Sequence, residues 1–134
     1  MIAVDSSILI AALQEWHAAH ESASAVMQRG QIRLPVHVLA ETYSTLTGGR
    51  VKPRTHPRTA AAALQRLPGS PSALSAAGYL ATIRQVAEQG LVGGAVFDAL
   101  VAATAREAGA TLVSRDRRAA TTYAVIGVQC ELVG

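Results

Sequence analysis

The chain has 134 residues, 50% hydrophobic and 16% charged, which suffices for one domain with a sizeable core and is too apolar for a disordered chain. Aromatics are only 4%, so Ala, Val, Leu and Ile must build that core, and no repeat, low-complexity tract or long linker divides residues 1–134. Twelve Lys and Arg against nine Asp and Glu leave a charge of +3, which suits a polyanionic partner, while a single cysteine, Cys130, excludes an intramolecular disulfide framework and a Cys-based zinc site.

Ile2–Val4 is a short apolar β-type run ending at Asp5, and Ser6 or Ser7 then caps a helix predicted to reach about Leu13. Asp5 precedes the longest apolar stretch of the N-terminus, the reverse of a secretory signal. Ile8–Leu13 is too short to span a bilayer, so the expectation is a cytoplasmic protein with no membrane association. His17–Arg29 reads as a second helix stopped by Gly30, and the alternation of Ile32, Leu34 and Val36 as a strand with Pro35 near its end. Val38–Thr47 is a helix closed by Gly48-Gly49. Arg50–Arg58, with five basic or histidine side chains, two prolines and no acid, is an exposed basic loop. Thr59–Leu67 is an alanine-rich helix, Pro68–Ser72 a turn, and Ser75–Gln89 and Val96–Ala108 two long helices closed by Gly90 and Gly109. Thr111–Ser114 is a β-type run ending just before Asp116, followed by a helix over Arg117–Val125 and a last strand over Val128–Val133. Strands that alternate with helices throughout predict an α/β fold with a mainly parallel sheet, and the short apolar leading strands are those of a buried sheet.

The acids divide into two groups. Glu15, Glu21, Glu88, Glu107 and Glu131 lie near helix ends, turns or the last strand among polar neighbours and read as solvated surface. Asp5, Glu41, Asp98 and Asp116 sit against apolar sequence: Asp5 after Ile-Ala-Val, Glu41 in VHVLAETYSTL, Asp98 in GGAVFDALVAATA, and Asp116 after Thr-Leu-Val-Ser-Arg. Asp5 and Asp116 each fall just past the C-terminal end of a predicted strand, the edge at which open α/β sheets bind ligands. A lone carboxylate in the apolar settings of Asp98 and Glu41 is costly unless paired or metal-bound.

Carboxylates gathered from four segments repel one another and raise their pKa values until a cation neutralises them. All-oxygen ligation suits Mg²⁺ or Mn²⁺, which bind phosphate oxygens and can generate a nucleophilic hydroxide. A basic chain with an acidic pocket then reads as a phosphodiesterase acting on nucleic acid. The plainer alternative makes Asp5 and Asp116 helix caps and Asp98 a salt-bridge partner.

These segments resemble PIN-domain ribonucleases, and most closely the VapC-type toxins of prokaryotic toxin–antitoxin pairs, over nearly the whole chain. VDSSILIAAL resembles the family's opening motif and maps Asp5 and the hydroxyl of Ser7; LPVHVLAETYSTL maps Glu41; VFDALVAATAREAGATLVSRDRR maps Asp98 and Asp116. Ser114 stands where the family often has Thr, Ala119 where an aromatic often follows the last acid, and Arg117-Arg118-Ala119 where some relatives carry a further acid. The resemblance implies a three-layer α/β sandwich with a central mainly parallel sheet, formed by a single domain over residues 1–134. It also implies Mg²⁺- or Mn²⁺-dependent endonucleolytic cleavage of RNA by water, leaving a 5′-phosphate and a 3′-hydroxyl. Asp5, Glu41 and Asp98 would hold the metal, Asp116 would complete the site, and Ser7 and Ser114 would support it. A homodimer and a VapB-type antitoxin that blocks the acidic pocket are implied as partners.

Arg115, Arg117 and Arg118 flank Asp116 and are candidate phosphate contacts, and Arg50, Lys52 and Arg54 in the basic loop are a second set. With little aromatic interleaving, base stacking is not expected. His37, four residues before Glu41, could line the pocket, although a cap or turn role is the stronger reading. His17 and His20 fit a surface helix, and Trp16 and Tyr43 fit packing or partner contacts. No nucleotide P-loop is present. A receiver or aspartyl-phosphatase fold also opens with strand-Asp, but the only lysine, Lys52, sits in the basic loop. The remaining alternative is a non-catalytic PIN-like module that binds RNA or a partner.

Overall fold

A computed structural model describes residues 1–134. The elements are β1 (Ile2–Val4), α1 (Ser6–Ala12), α2 (His20–Met27), β2 (Ile32–Pro35), α3 (Val36–Thr47), α4 (Pro57–Gln65), β3 (Ser70–Ser72), α5 (Ala76–Glu88), α6 (Ala95–Glu107), β4 (Thr111–Ser114), α7 (Arg117–Ile126) and β5 (Cys130–Leu132). All strands pair in parallel, in the order β3-β2-β1-β4-β5. Parallel strands need long crossovers, and right-handed crossovers put the helices before β3 on one face and those after it on the other. The contacts follow this division: α1 packs on α2 and α3, and α3 on α4, while α6 packs on α5 and α7.

The order reverses between β1 and β4. The chain leaves β1 for one edge of the sheet and later returns to β4 to build the other. The crevice beyond the C-terminal ends of these two strands is the topological switch point, where α/β sheets take up ligands. Asp5 follows β1 there, and Asp116 lies two residues past β4.

The core is aliphatic and fine-grained. Ala3, Val4, Leu34, Leu112 and Val113 of the sheet are buried with Ile8, Leu9, Val26 and Val38 of the first helix set. On α6, every residue from Ala99 to Ala105 is buried, so this helix has no solvated face along that stretch. Its alanines let strands and neighbouring helices approach from all sides. Asp98 sits in its first turn, just before the buried stretch begins, where the helix dipole favours a carboxylate.

Four boundaries differ from the sequence expectations. Residues 14–19 are turn rather than helix, so α2 starts at His20, and the His17 imidazole accepts the Ala19 N–H there. Val36 belongs to α3, because the preceding Pro35 ends the strand and serves as the helix N-cap. Pro57 opens α4 from the favoured first-turn position. Pro68–Ser72 is more than a turn: Ser70–Ser72 is an edge strand on β2. Gly69, at φ +116°, turns the chain into it, where a Cβ would lie 2.7 Å from the Ile32 carbonyl oxygen. Pro71 is admissible because an edge strand has one side without a ladder.

Candidate active site

Asp5 is buried at the end of β1 with 4% exposure, and its carboxylate accepts four hydrogen bonds. The Ser7 backbone N–H, at 3.0 Å, and the Ser7 hydroxyl donate to Oδ1. The Ser114 hydroxyl and the Tyr123 phenol, the latter at 2.8 Å, donate to Oδ2. A carboxylate has about four lone-pair sites, so Asp5 is fully satisfied within the protein. Both serines bind twice: Ser7 Oγ accepts the Arg115 N–H at 2.8 Å, and Ser114 Oγ accepts the Asp116 N–H at 2.9 Å. The two hydroxyls therefore join the end of β1 to the β4–α7 turn and set the position of Asp116.

Asp116 caps α7, its Oδ1 accepting from the N–H groups of Arg118 and Ala119 at 2.9 and 3.1 Å. Both acids at the strand ends are thus helix caps. Capping and site membership are compatible here, because both Asp116 bonds use one oxygen and leave the second for the crevice.

Glu41 on α3 and Asp98 on α6 line a cleft of about 580 Å³ with His37, Phe97, Arg118 and Thr122. Their charges interact with those at the strand ends. Burial, then repulsion by Asp98 and Asp5, pushes the Glu41 carboxyl up to about 7. Burial raises Asp98 as well, with repulsion from Asp116 and Asp5 adding to it and Arg118 opposing. The four acids thus sense one another across the crevice. Burial holds the His37 imidazole below its ordinary value, so its 3.7 Å approach to Glu41 is not a full ion pair at neutral pH.

No three carboxylate, histidine or cysteine side chains stand close enough to cage an ion directly. The donors are nevertheless all oxygen, and the raised Glu41 and Asp98 carboxyls are groups that a nearby cation would relieve. This fits a hydrated hard ion such as Mg²⁺ or Mn²⁺, which is commonly held through one or two carboxylates and several waters.

Arg118 also borders a second cleft of about 700 Å³, shared with Ser7, Arg115, Asp116 and Arg117. The three arginines therefore lie beside Asp116, and Arg118 alone also borders the cleft of Glu41 and Asp98. Arg50, Lys52 and Arg54 do not line either cleft: they follow the far end of α3, which extends about 9 Å along its axis beyond Glu41. The remaining acids stay apart from the crevice. Glu15, Glu21 and Glu88 are exposed, Glu107 accepts from Ser75, and Glu131 pairs with Arg29 at 2.8 Å.

Three neighbours of the acids escaped the sequence reading, and for a fourth, His37, it had favoured a cap or turn role over lining the pocket. His37 lines the cleft instead of serving only as a cap, which its spacing from Glu41 had allowed. Phe97 and Thr122 line the cleft with it. Tyr123 is 2% exposed and donates to Asp5. It lies one turn beyond Ala119 on the buried face of α7, so the aromatic missing at Ala119 is supplied by the next turn. Its spacing of seven residues from Asp116, two helical turns, was the available signal.

A five-stranded parallel sheet with an acidic crevice at its switch point accords with a PIN domain, and the PIN-domain family model matches residues 2–125. The chain belongs to that family. It is 42% identical over 134 residues to ribonuclease VapC40 of Mycobacterium tuberculosis, covering 99% of both chains. It is 41% identical over 127 residues to ribonuclease VapC27 of that organism, covering 95% of this chain and 93% of the relative. Among solved structures it resembles Mycobacterium tuberculosis VapC20, a sarcin-ricin loop cleaving toxin, with a TM-score of 0.70 and 22% identity over 90% of this chain and 94% of that one. It also resembles VapBC2 from Rickettsia felis bound to a promoter DNA fragment, with a TM-score of 0.69 and 18% identity over 98% of each chain.

Proposed function

We propose that this protein is the endoribonuclease toxin of a toxin–antitoxin pair, a divalent-metal enzyme with its chemistry in the Asp5–Glu41–Asp98–Asp116 crevice and the whole of residues 1–134 as its catalytic unit. The observation that carries the reading is the convergence of four acids from separate segments at the switch point, with Glu41 raised to about 7 by its surroundings. Full-length identity to two ribonucleases supports the substrate class.

Glu41 and Asp98, which keep open faces on the cleft, would hold Mg²⁺ or Mn²⁺ most directly. Asp5, its lone pairs already taken, would act through its charge and through water, and the free oxygen of Asp116 would complete the set. When bound, the ion supplies an acidified water and neutralises charge developing on the phosphate. Ser7 and Ser114 hold the Asp5 carboxylate in place. Arg118, with Arg115 and Arg117, grips the phosphate backbone beside the acids. Arg50, Lys52 and Arg54 are at most a distal RNA contact. Attack by water breaks the P–O3′ bond and leaves a 5′-phosphate and a 3′-hydroxyl.

A VapB-type antitoxin would silence the crevice, most simply by setting a basic side chain among the acids. A homodimer and a cytoplasmic location complete the proposal. No helix is long and apolar enough to cross a membrane.

The test is incubation of the pure protein with total RNA in Mg²⁺, Mn²⁺ or EDTA, beside an Asp98→Asn variant. Cleavage in the metals only, lost in the variant and leaving 5′-phosphate ends, is expected. Cutting that survives EDTA, or 2′,3′-cyclic phosphate ends, would overturn the mechanism. RNA binding without cutting under every condition would favour the non-catalytic module.

A further inference from the structure

One wall of the acidic cleft is aromatic. His37, at the start of α3, and Phe97, in the first turn of α6, stack with ring centroids 5.4 Å apart and planes within 2°. Offset parallel stacking is a favoured arrangement of two rings. The rings come from the two different helix sets and meet in the same cleft as Glu41 and Asp98. Core packing does not account for the pair: α6 begins to bury side chains only at Ala99, and Phe97 remains 50% exposed. A half-wetted phenyl ring next to a carboxylate is a cost to the free protein.

Resting on the ribonuclease reading, we infer that the His37–Phe97 pair is a stacking platform for an unpaired nucleobase flanking the scissile phosphate. Every base has a π-face, so aromatic side chains hold single-stranded nucleic acid without needing a particular sequence. Phe97 lines the same cleft as Asp98 and Glu41, so a base on its ring lies near the phosphate that the acids address. Arg118 borders the same cleft and faces the adjoining backbone. The cleft volume of about 580 Å³ is that of an ordinary ligand site and admits one nucleotide. A duplex keeps its bases in its own stack, so the platform selects loops, bulges or flipped nucleotides. Its affinity follows stacked area, which favours purines over pyrimidines at the flanking position.

The experiment maps the cut sites on total RNA and then uses a short single-stranded RNA spanning one of them. Phe97→Ala, Phe97→Leu and Phe97→Trp are compared with wild type after circular-dichroism melts establish that each is folded. Phe97→Ala is expected to raise KM roughly tenfold, since loss of one base stack has about that effect. Trp restores binding; Leu, which keeps bulk but has no π-face, does not. An abasic residue at one flank of the cut imposes the same loss on wild type and no further loss on Phe97→Ala. In EDTA, single-stranded RNA carrying 2-aminopurine at that flank is quenched by wild type and not by Phe97→Ala. Unchanged KM and quenching in Phe97→Ala overturn the platform. If wild type cuts no RNA, the ribonuclease reading fails, and titration of a short single-stranded RNA with 2-aminopurine at an internal position still decides: quenching that depends on Phe97 supports the platform, and its absence removes it.

Discussion

Asp5 is held by four donors that reach it from three elements, and each of them is accountable for part of its position. Tyr123 is the most informative. Burial and the nearby Asp5 push its phenol far above the ordinary range, so it stays protonated and donates at any physiological pH. Tyr123→Phe removes that donor and leaves a buried carboxylate oxygen short of a partner. It is expected to cost about 1–3 kcal/mol in urea unfolding and to lower cleavage without abolishing it. Glu41 makes a pH prediction. Its carboxyl titrates near 7 in the folded protein against an ordinary 4.5, so the folded state binds the proton more tightly. Its contribution to stability is therefore present below about pH 4.5 and lost as pH rises through 7. The metal-free protein should melt lower at pH 8 than at pH 6, Glu41→Gln should flatten that difference, and Mg²⁺ should raise the melting temperature chiefly on the alkaline side. A metal-free melt that rises from pH 6 to pH 8, with Glu41→Gln changing nothing, would mean that the carboxyl is not strained.

Among the elements, α6 is the most constrained. Its stretch from Ala99 to Ala105 is buried all round, and Ala102 has 0% exposure. The small side chains set how closely α5, α7 and the strands can approach, and so where Asp98 stands relative to Glu41. Ala102→Leu is expected to destabilise the fold by about 1–3 kcal/mol through overpacking, measured by chemical denaturation, with a loss of activity beyond the unfolded fraction. The alternation of strands and helices and the location of α6 were legible from hydrophobic runs and glycine stops. The edge strand Ser70–Ser72 was not, because its three residues, Ser-Pro-Ser, have the composition of a turn. Only pairing with β2 makes them a strand.

At the scale of the whole molecule, a chain of net charge +3 gathers four of its nine acids about one crevice and sets arginines beside it. That arrangement lets a polyanion approach a site that would otherwise repel it. Arg118 borders both clefts. Arg118→Gln should weaken RNA binding at low salt and reduce the slope of log affinity against log salt by about 1, read by fluorescence anisotropy in EDTA. Arg54→Gln, in the distal loop, should change the slope less. Equal effects from the two would place RNA across the far end of α3 instead.

From the amino-acid order alone came the parallel α/β class and the four acids, because periodicity and an acid against apolar sequence are local properties. The motif resemblance added the PIN-like sandwich. What joined those acids to Tyr123, Phe97 and His37 is non-local: the reversal of strand order between β1 and β4 brings α3, α6 and α7 to one edge. A side chain seven residues from an acid, or on another helix, shows its role only once that edge is assembled, since the buried Asp5 carboxylate draws its four hydrogen bonds from three elements.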